Sequence, residues 1–109
     1  MMKLVAVVRR RPEVPAEEFY RIWREDLPPL VSRLPGLRGY QQNHAVPRER
    51  GWPWDGAAEL WFDDRRAIQT AMSSPEAIAL AAFEQTFIGT VEKFVAEEHT
   101  IIPPGRTDR

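Results

Sequence analysis

The sequence predicts an α+β protein with the element order strand, helix, strand, strand, helix, strand. Runs of strand-forming residues at 3–9 and 56–62 are short and either β-branched or alternating. Residues 15–34 and 75–87 place apolar side chains at helical spacing. This order is that of the ferredoxin-like βαββαβ fold, a four-stranded antiparallel sheet. Right-handed crossovers put both helices on one face of the sheet, so its other face is predicted to be bare.

The first helix is expected to begin near Pro15 after the strand at 3–9, since proline fits the first helical position. Pro28 and Pro29 lack an amide donor, so a kink or break is expected there, with Asp26 capping the second segment. The apolar stripe of this helix consists of Phe19, Ile22, Trp23, Leu27, Leu30 and Leu34.

The remaining strands differ in polarity. Residues 37–46 are the most polar, which is typical of an edge strand. Residues 56–62 alternate, and residues 91–102 alternate for part of their length before a proline. We therefore expect the second, third and fourth strands at these three places.

The later helical region begins with two capping signals. Asp63 or Asp64 is expected to cap a short helix at 65–72, and the serine–proline pair at 74–75 begins a further helix. Gly89 is expected to end it. The predicted buried face of this helix consists of Ile78, Ala79, Ala82, Phe83, Thr86 and Phe87.

The bare face of the sheet predicts a homodimer. Alternation directs Ala58, Leu60 and Phe62 toward the helices, and Ala57, Glu59 and Trp61 toward the bare face. The first strand is expected to add Val5, Val7 and Arg9 to the bare face. Such a face is too apolar to leave in water, and pairing two copies across a two-fold axis covers it.

Length and composition limit the classes of protein. The 109 residues indicate one domain, expected at 1–102, followed by a tail at 103–109. A net charge of -1 argues against a nucleic-acid partner. The absence of cysteine excludes disulfides and thiolate chemistry. No secretory signal or membrane-spanning run is evident, so we expect a cytoplasmic protein with no membrane partner.

Two residues are candidates for proton transfer. Glu59 lies in the middle of a central strand, where desolvation would raise the pKa of a carboxyl toward that of a general acid or base. The alternative is a structural carboxylate bonded to Arg9 or Arg38. His44 has an imidazole suited to the same chemistry, or is a satisfied edge-strand histidine. His44 and His99 form no ligand motif with the glutamates, so no metal site is predicted.

Candidate substrate-binding residues lie on three segments. Tyr20 and Arg24 share a helix face and could line a pocket mouth, or form an exposed stacked pair. Tyr40, Asn43 and Trp61 are expected to orient a substrate. Trp54 shares a loop with Trp52, and two exposed tryptophans are costly. That loop is predicted to fold over a pocket as a lid or to cover the dimer partner, and both alternatives stay open.

The chain resembles the EthD family, named for ethyl tert-butyl ether degradation, within the dimeric α/β-barrel superfamily. The resemblance rests on segments along nearly the whole chain: residues 3–8, 17–19, 23–25, 29–31, 34–37, 40–44, 55–62, 74–76 and 97–99. Two positions depart from the pattern. Leu27 stands where similar members often carry a histidine, and residues 73–77 lack the histidine of the plant polyketide cyclases.

The resemblance implies a dimeric barrel with a pocket for a small apolar or aromatic molecule. It is compatible with a cofactor-independent enzyme, either an oxidoreductase of the monooxygenase type or a cyclase or isomerase. Leu27 in place of histidine favours an alternative, a non-catalytic dimeric module that binds a hydrophobic molecule or assists a partner oxygenase. Haem binding, known in the superfamily, would need His44 or His99 as an axial ligand. We therefore expect no cofactor.

Overall fold

The computed structural model describes residues 1–105, and its four strands form one antiparallel sheet in the order β2-β3-β1-β4. The strands are β1 (Met2–Arg10), β2 (Gly39–His44), β3 (Gly56–Phe62) and β4 (Ile88–Glu97). The helices are α1 (Ala16–Arg21), α2 (Pro28–Val31), α3 (Arg65–Met72) and α4 (Pro75–Glu84), with a π-helical turn (Ile22–Asp26) between α1 and α2. The predicted α+β, ferredoxin-like fold is confirmed.

The helices pack on one face of the sheet, and the hydrophobic core lies between the two layers. The largest fully buried side chains come mainly from the helical layer and are Trp23, Phe19, Phe62, Phe87 and Leu27. Burying each such side chain contributes about 1.5–3 kcal/mol. The register pairs Val5 with Glu59 on β3 and with Phe94 on β4, so these three residues share the opposite, uncovered face. The predicted sorting of side chains between the two faces is therefore confirmed.

The proline pair is accommodated by a π-helical turn. The Leu27 amide donates to the Ile22 carbonyl at 3.0 Å, a wider ring than in an α-helix. This widening leaves room for Pro28, which occupies the first position of α2 while Leu27 keeps helical angles (φ -76, ψ -40). The expectation that Asp26 caps the second segment was wrong, because Leu27 is the N-cap and Asp26 bonds to Arg21 instead.

The caps of α3 and α4 are those expected, but the phase of α4 is not. Asp64 accepts from the Ala67 amide and Ser74 from the Ala77 amide. In α4, however, Leu80 is buried and Ile78 is 70% exposed, so the predicted face was wrong over the first part of the helix. Toward its end the prediction holds, since Phe83 packs against the core and Phe87 is fully buried. Apolar residues occupy nearly every side of this helix, and periodicity alone could not set its phase.

The last strand begins and ends earlier than expected, since it spans Ile88–Glu97 rather than 91–102. Gly89 does not end the helix but is the second residue of β4, next to an irregularity in the pairing at Arg9 and Arg10. A Cβ there would lie 3.1 Å from the Arg10 carbonyl oxygen, which explains the glycine. Of the predicted tail, residues 103–105 are exposed and residues 106–109 lie outside the described residues. None of the helices within residues 1–105 has the length and apolar composition needed to cross a bilayer.

Candidate functional site

A cavity of about 80 Å³ lies between the helices and the covered face of the sheet. The sheet contributes aliphatic side chains such as Leu4 and Leu60, and the helical layer contributes Trp23 and Leu27. Besides the indole N–H of Trp23, three lining side chains within the described residues carry polar groups, and they are Tyr40, Glu84 and Lys93. The cavity can therefore hold a largely apolar molecule and form hydrogen bonds with it through a few polar side chains.

Tyr40 is held so that its own proton is free to donate. The Gln42 Nε2 atom donates to the Trp23 carbonyl at 2.6 Å and to the Tyr40 hydroxyl oxygen at 2.7 Å. Both amide hydrogens are thereby used, and the phenol oxygen is an acceptor. Burial raises the pKa of Tyr40, against the opposing effect of hydrogen bonds from Gln42 and Trp23. Tyr40 is thus a neutral hydrogen-bond donor in the wall of the cavity.

His44 supports Tyr40 through Gln42. The orientation of the Gln42 amide places its oxygen toward the His44 Nε2 atom at 2.8 Å, so that nitrogen must carry a hydrogen. The imidazole stacks on Trp23, at 4.6 Å between ring centroids, and on Tyr20, at 5.0 Å. Burial, with the nearby charge of Arg24, lowers the pKa of His44. The neutral imidazole of His44 donates a hydrogen bond to Gln42 and fixes its orientation, and Gln42 in turn holds Tyr40.

Glu84 was missed by the sequence reasoning. It lies in the last turn of α4, where it lines the inner cavity and also an outer cleft of about 160 Å³ between α4 and β4. Burial raises the pKa of Glu84, and the charge of Lys93 partly opposes this. Within residues 1–105, no buried side-chain nitrogen or oxygen lacks a hydrogen-bond partner, and no hydrogen bond to the Glu84 carboxyl group is found there. Its oxygens are therefore accessible from the cavity or the cleft that Glu84 lines. Glu84 follows Leu80 by four residues, so the two side chains share one face of α4. This spacing indicates a position at the cavity only when Leu80 is already known to be buried.

Glu59, Asn43 and Trp61 lie together on the uncovered face, away from the cavity. Lys3 Nζ bonds the Glu59 carboxylate at 2.7 Å, and Asn43 Nδ2 donates to it at 3.1 Å. The hydrogen bond from Lys3 is the main reason that the pKa of Glu59 is lowered. Trp61 Nε1 donates to Glu98 at 3.1 Å in the same cluster. The partner of Glu59 is therefore Lys3, rather than Arg9 or Arg38, and the arrangement favours the structural interpretation of this carboxylate.

Tyr20 and Trp54 line a separate surface cavity of about 270 Å³. The Tyr20 hydroxyl donates to the Asp55 carbonyl at 2.8 Å. The tryptophan loop lies beside this surface cavity rather than over the inner one, with Arg9 placed over the Trp54 ring. Arg24 is exposed and pairs with Glu25. The candidate residues thus fall into three groups, and Arg24 lies outside all of them. Of these residues, only Tyr40, with His44 behind it, belongs to the inner cavity.

Comparisons with known proteins place the fold in a family. A model of the EthD domain matches residues 11–90. An EthD family protein of Bacillus halodurans is 27% identical, with a TM-score of 0.77 over 91% of this chain and 99% of that one. No curated protein matches.

Two more distant structures share the fold alone. A dimeric ferredoxin-like protein of unknown function from Bacteroides fragilis is 17% identical, with a TM-score of 0.68 over 89% of this chain and 95% of that one. SnoaB is a cofactor-independent oxygenase of Streptomyces nogalater, and the structure compared is that of a mutant. It is 18% identical, with a TM-score of 0.66 over 94% of this chain and 96% of that one.

Proposed function

Because this chain belongs to the EthD domain family, we propose that it is a cofactor-independent enzyme that moves a proton on a small, largely apolar molecule. The site is the cavity between the helices and the sheet. The observation that carries the proposal is the Tyr40 phenol, which lines this cavity, is held by Gln42 and keeps its own proton for a ligand.

The geometry supports chemistry at a carbonyl group. Removal of a proton from the carbon beside a carbonyl leaves an enolate, and its negative charge collects on the oxygen. A fixed hydroxyl donor stabilises that charge more than it stabilises the neutral ketone, which is the requirement for catalysis. Isomerisation, cyclisation and reaction with oxygen can all begin with this step. Similarity to a cofactor-independent oxygenase supports the oxygen-dependent branch as one form of the reaction.

The dimensions favour a small ligand. The inner cavity, at about 80 Å³, is smaller than the cavities of about 150 Å³ that accept benzene. The outer cleft shares Glu84, Ile88, Val91 and Lys93 with it. An aromatic ligand would therefore span both spaces, with its polar group toward Tyr40.

The uncovered face of the sheet supports a homodimer as the working form. Phe94 is 61% exposed there, beside Val5 and Trp61. The Lys3 and Glu59 charges compensate each other within the face, which lowers the cost of burying it. A structurally similar protein is dimeric. Pairing two such faces removes the apolar side chains of Val5, Trp61 and Phe94 from water.

One observation favours a second function, a module that binds an apolar molecule without transforming it. Within the described residues, the wall is aliphatic or aromatic apart from Tyr40, Glu84 and Lys93. A binding module would need little more. The two functions differ in whether a bound ketone exchanges its protons.

The test is hydrogen–deuterium exchange at the α-carbon of cyclohexanone, acetophenone and 2-indanone, followed by NMR in heavy water. Binding is followed in parallel through tryptophan fluorescence, since Trp23 lines the cavity. We expect exchange above the buffer rate and a loss of about 10²–10³-fold in Tyr40→Phe. Tyr20→Phe is the matched control, because its hydroxyl bonds to Asp55 outside the inner cavity.

The outcomes separate the two functions. Binding without exchange for all three ketones would establish the binding module in place of the enzyme. If none of the three ketones binds and none exchanges its protons, both proposals are overturned. Equal exchange by the Tyr40→Phe and Tyr20→Phe variants would remove Tyr40 from the mechanism.

A further inference from the structure

We propose that Glu84 is the proton acceptor of the inner cavity and that its substrate is a small neutral ketone entering between α4 and β4. This inference rests on the proposed function and names the group that the reaction needs in addition to Tyr40. Neither the family assignment nor the candidate residues from the sequence include Glu84.

Glu84 lies where the inner cavity meets the outer cleft. Glu84 lines both the inner cavity and the outer cleft, so a molecule passing between them contacts its carboxyl group. Tyr40, on β2, lines the same inner cavity, and the charge of Glu84 contributes to the raised pKa of Tyr40. The two groups are therefore within electrostatic reach across the cavity. A ligand between them can meet a base on one side and a hydrogen-bond donor on the other.

The groups that face Glu84 leave its carboxyl group without a close partner in the described part of the chain. Lys93 approaches from β4 and Tyr40 from β2, and these are the titratable side chains that share its cavity within the described residues. The helical layer contributes the apolar residues Leu27 and Val31 on its side. Lys93 is not within ion-pair distance in the described part of the chain, and its influence on Glu84 is through space. The carboxyl group is thus available to a ligand rather than engaged by the protein.

The surroundings of Glu84 limit the kind of ligand that can bind beside it. A desolvated carboxyl group needs a donor, and an anionic ligand beside it would be repelled. A neutral ketone avoids this repulsion, and the acidic hydrogen on the carbon beside its carbonyl is a proton that the carboxylate can accept. The Glu84 carboxylate takes a proton from the carbon beside the carbonyl, so that a C–H bond breaks and an O–H bond forms. The electron pair passes to the carbonyl oxygen, which accepts the Tyr40 hydrogen bond, and the proton returns to the same or another carbon without net oxidation.

Electrostatics agrees with this role. Burial raises the pKa of Glu84 above the ordinary value for a carboxyl group, which strengthens it as a base. Glu59, in contrast, is paired with Lys3 on the other face, and its pKa is lowered. Of these two carboxylates, Glu84 is the one whose environment suits proton abstraction near neutral pH.

The experiment compares Glu84→Gln with Glu76→Gln, an exposed carboxylate in the first turn of the same helix. Cyclohexanone exchange is measured by NMR, and cyclohexanone binding by tryptophan fluorescence. We expect Glu84→Gln to lose exchange by about 100-fold or more, with a change of less than about threefold in Kd. Glu76→Gln should keep both. Circular dichroism establishes that each variant is folded.

A second variant keeps the test decisive if Glu84→Gln does not fold. Lys93→Met removes the cation that opposes the raised pKa of Glu84, so the midpoint of the exchange rate against pH should move upward. A midpoint that stays in place overturns the assignment, as does full exchange in folded Glu84→Gln. In both cases wild-type exchange persists and the proposed function stands. Absence of exchange in the wild type overturns the proposed function itself, and the role of Glu84 with it.

Discussion

Leu27→Ala tests both the packing of the helical layer and the size of the cavity. Leu27 follows the π-helical turn, is 2% exposed and lines the cavity. The substitution removes roughly three methylene equivalents at about 0.8 kcal/mol each. The enlarged void adds about 1 kcal/mol, which gives a loss of about 3.5 kcal/mol in the free energy of unfolding, inside the usual range of about 2.7–5.0 kcal/mol.

The assay is thermal unfolding followed by circular dichroism. For a chain of 109 residues, each kcal/mol corresponds to about 4 °C, so the Tm of Leu27→Ala should fall by about 14 °C. Ile78→Ala is the control, because Ile78 is 70% exposed on α4 and its loss should stay below about 0.5 kcal/mol. Benzene should raise the Tm of Leu27→Ala more than that of the wild type, since the enlarged cavity can hold it.

Two results would refute this reasoning. A loss below about 1 kcal/mol in Leu27→Ala would mean that the leucine does not pack against the sheet as described. A comparable loss in Ile78→Ala would mean that α4 presents the other phase to the core. If benzene stabilised the two proteins equally, the cavity beside Leu27 would not be its binding site.

Three further predictions concern the sheet. Phe94→Glu should convert a dimer to a monomer by light scattering, because it places a charge on the uncovered apolar face; an unchanged mass would remove that face from the interface. Gly56→Ala should lower stability by about 1–3 kcal/mol in urea unfolding, since its Cβ would clash with the Asn43 carbonyl oxygen and lie 2.7 Å from the Trp23 ring. Gly39→Ala, with 3.4 Å of clearance, should be tolerated, and equal losses would contradict the packing. The pKa of Glu59 in the folded protein is lowered from its ordinary value of 4.5, so the ionised carboxylate stabilises the fold at pH values above 4.5. This contribution is lost as the pH falls through the folded-state pKa. Wild type should therefore lose stability more steeply than Glu59→Gln below pH 4.5, and parallel curves would count against the ion pair.

Local signals were sufficient where they were strong. The alternation of β3 and the two helix caps appear in the sequence because each depends on neighbouring residues alone. The prolines at Pro28 and Pro29 indicated the place of the irregularity but not its form, since a π-helical turn and a break satisfy the same missing amides. The phase of α4 depended on tertiary contacts of Leu80, which no local pattern records.

The candidate site was harder to predict for a related reason. Alternation showed that Glu59 and Trp61 share the uncovered face, but it could not show that the cavity lies on the other face. It also could not pair Glu59 with Lys3, which is 56 positions away in the chain. Tyr40 was selected as a substrate-binding residue, and it lines the cavity. Glu84 escaped because a single glutamate in an apolar helix carries no motif.

Glu59 and Glu84 show why the surroundings of a carboxylate, rather than its place in a motif, indicate its chemistry. Glu59 receives hydrogen bonds from Lys3 and Asn43, so its charge is satisfied and it is a weak base. Glu84 faces an apolar cavity, where its charge is costly until a proton or a ligand donor neutralises it. The fold tolerates the cost of an unpaired charge at Glu84, on the helix-covered face of the sheet. On the opposite face, the charge of Glu59 is compensated by Lys3. That division matches an association surface on the uncovered face and proton transfer beneath the helices.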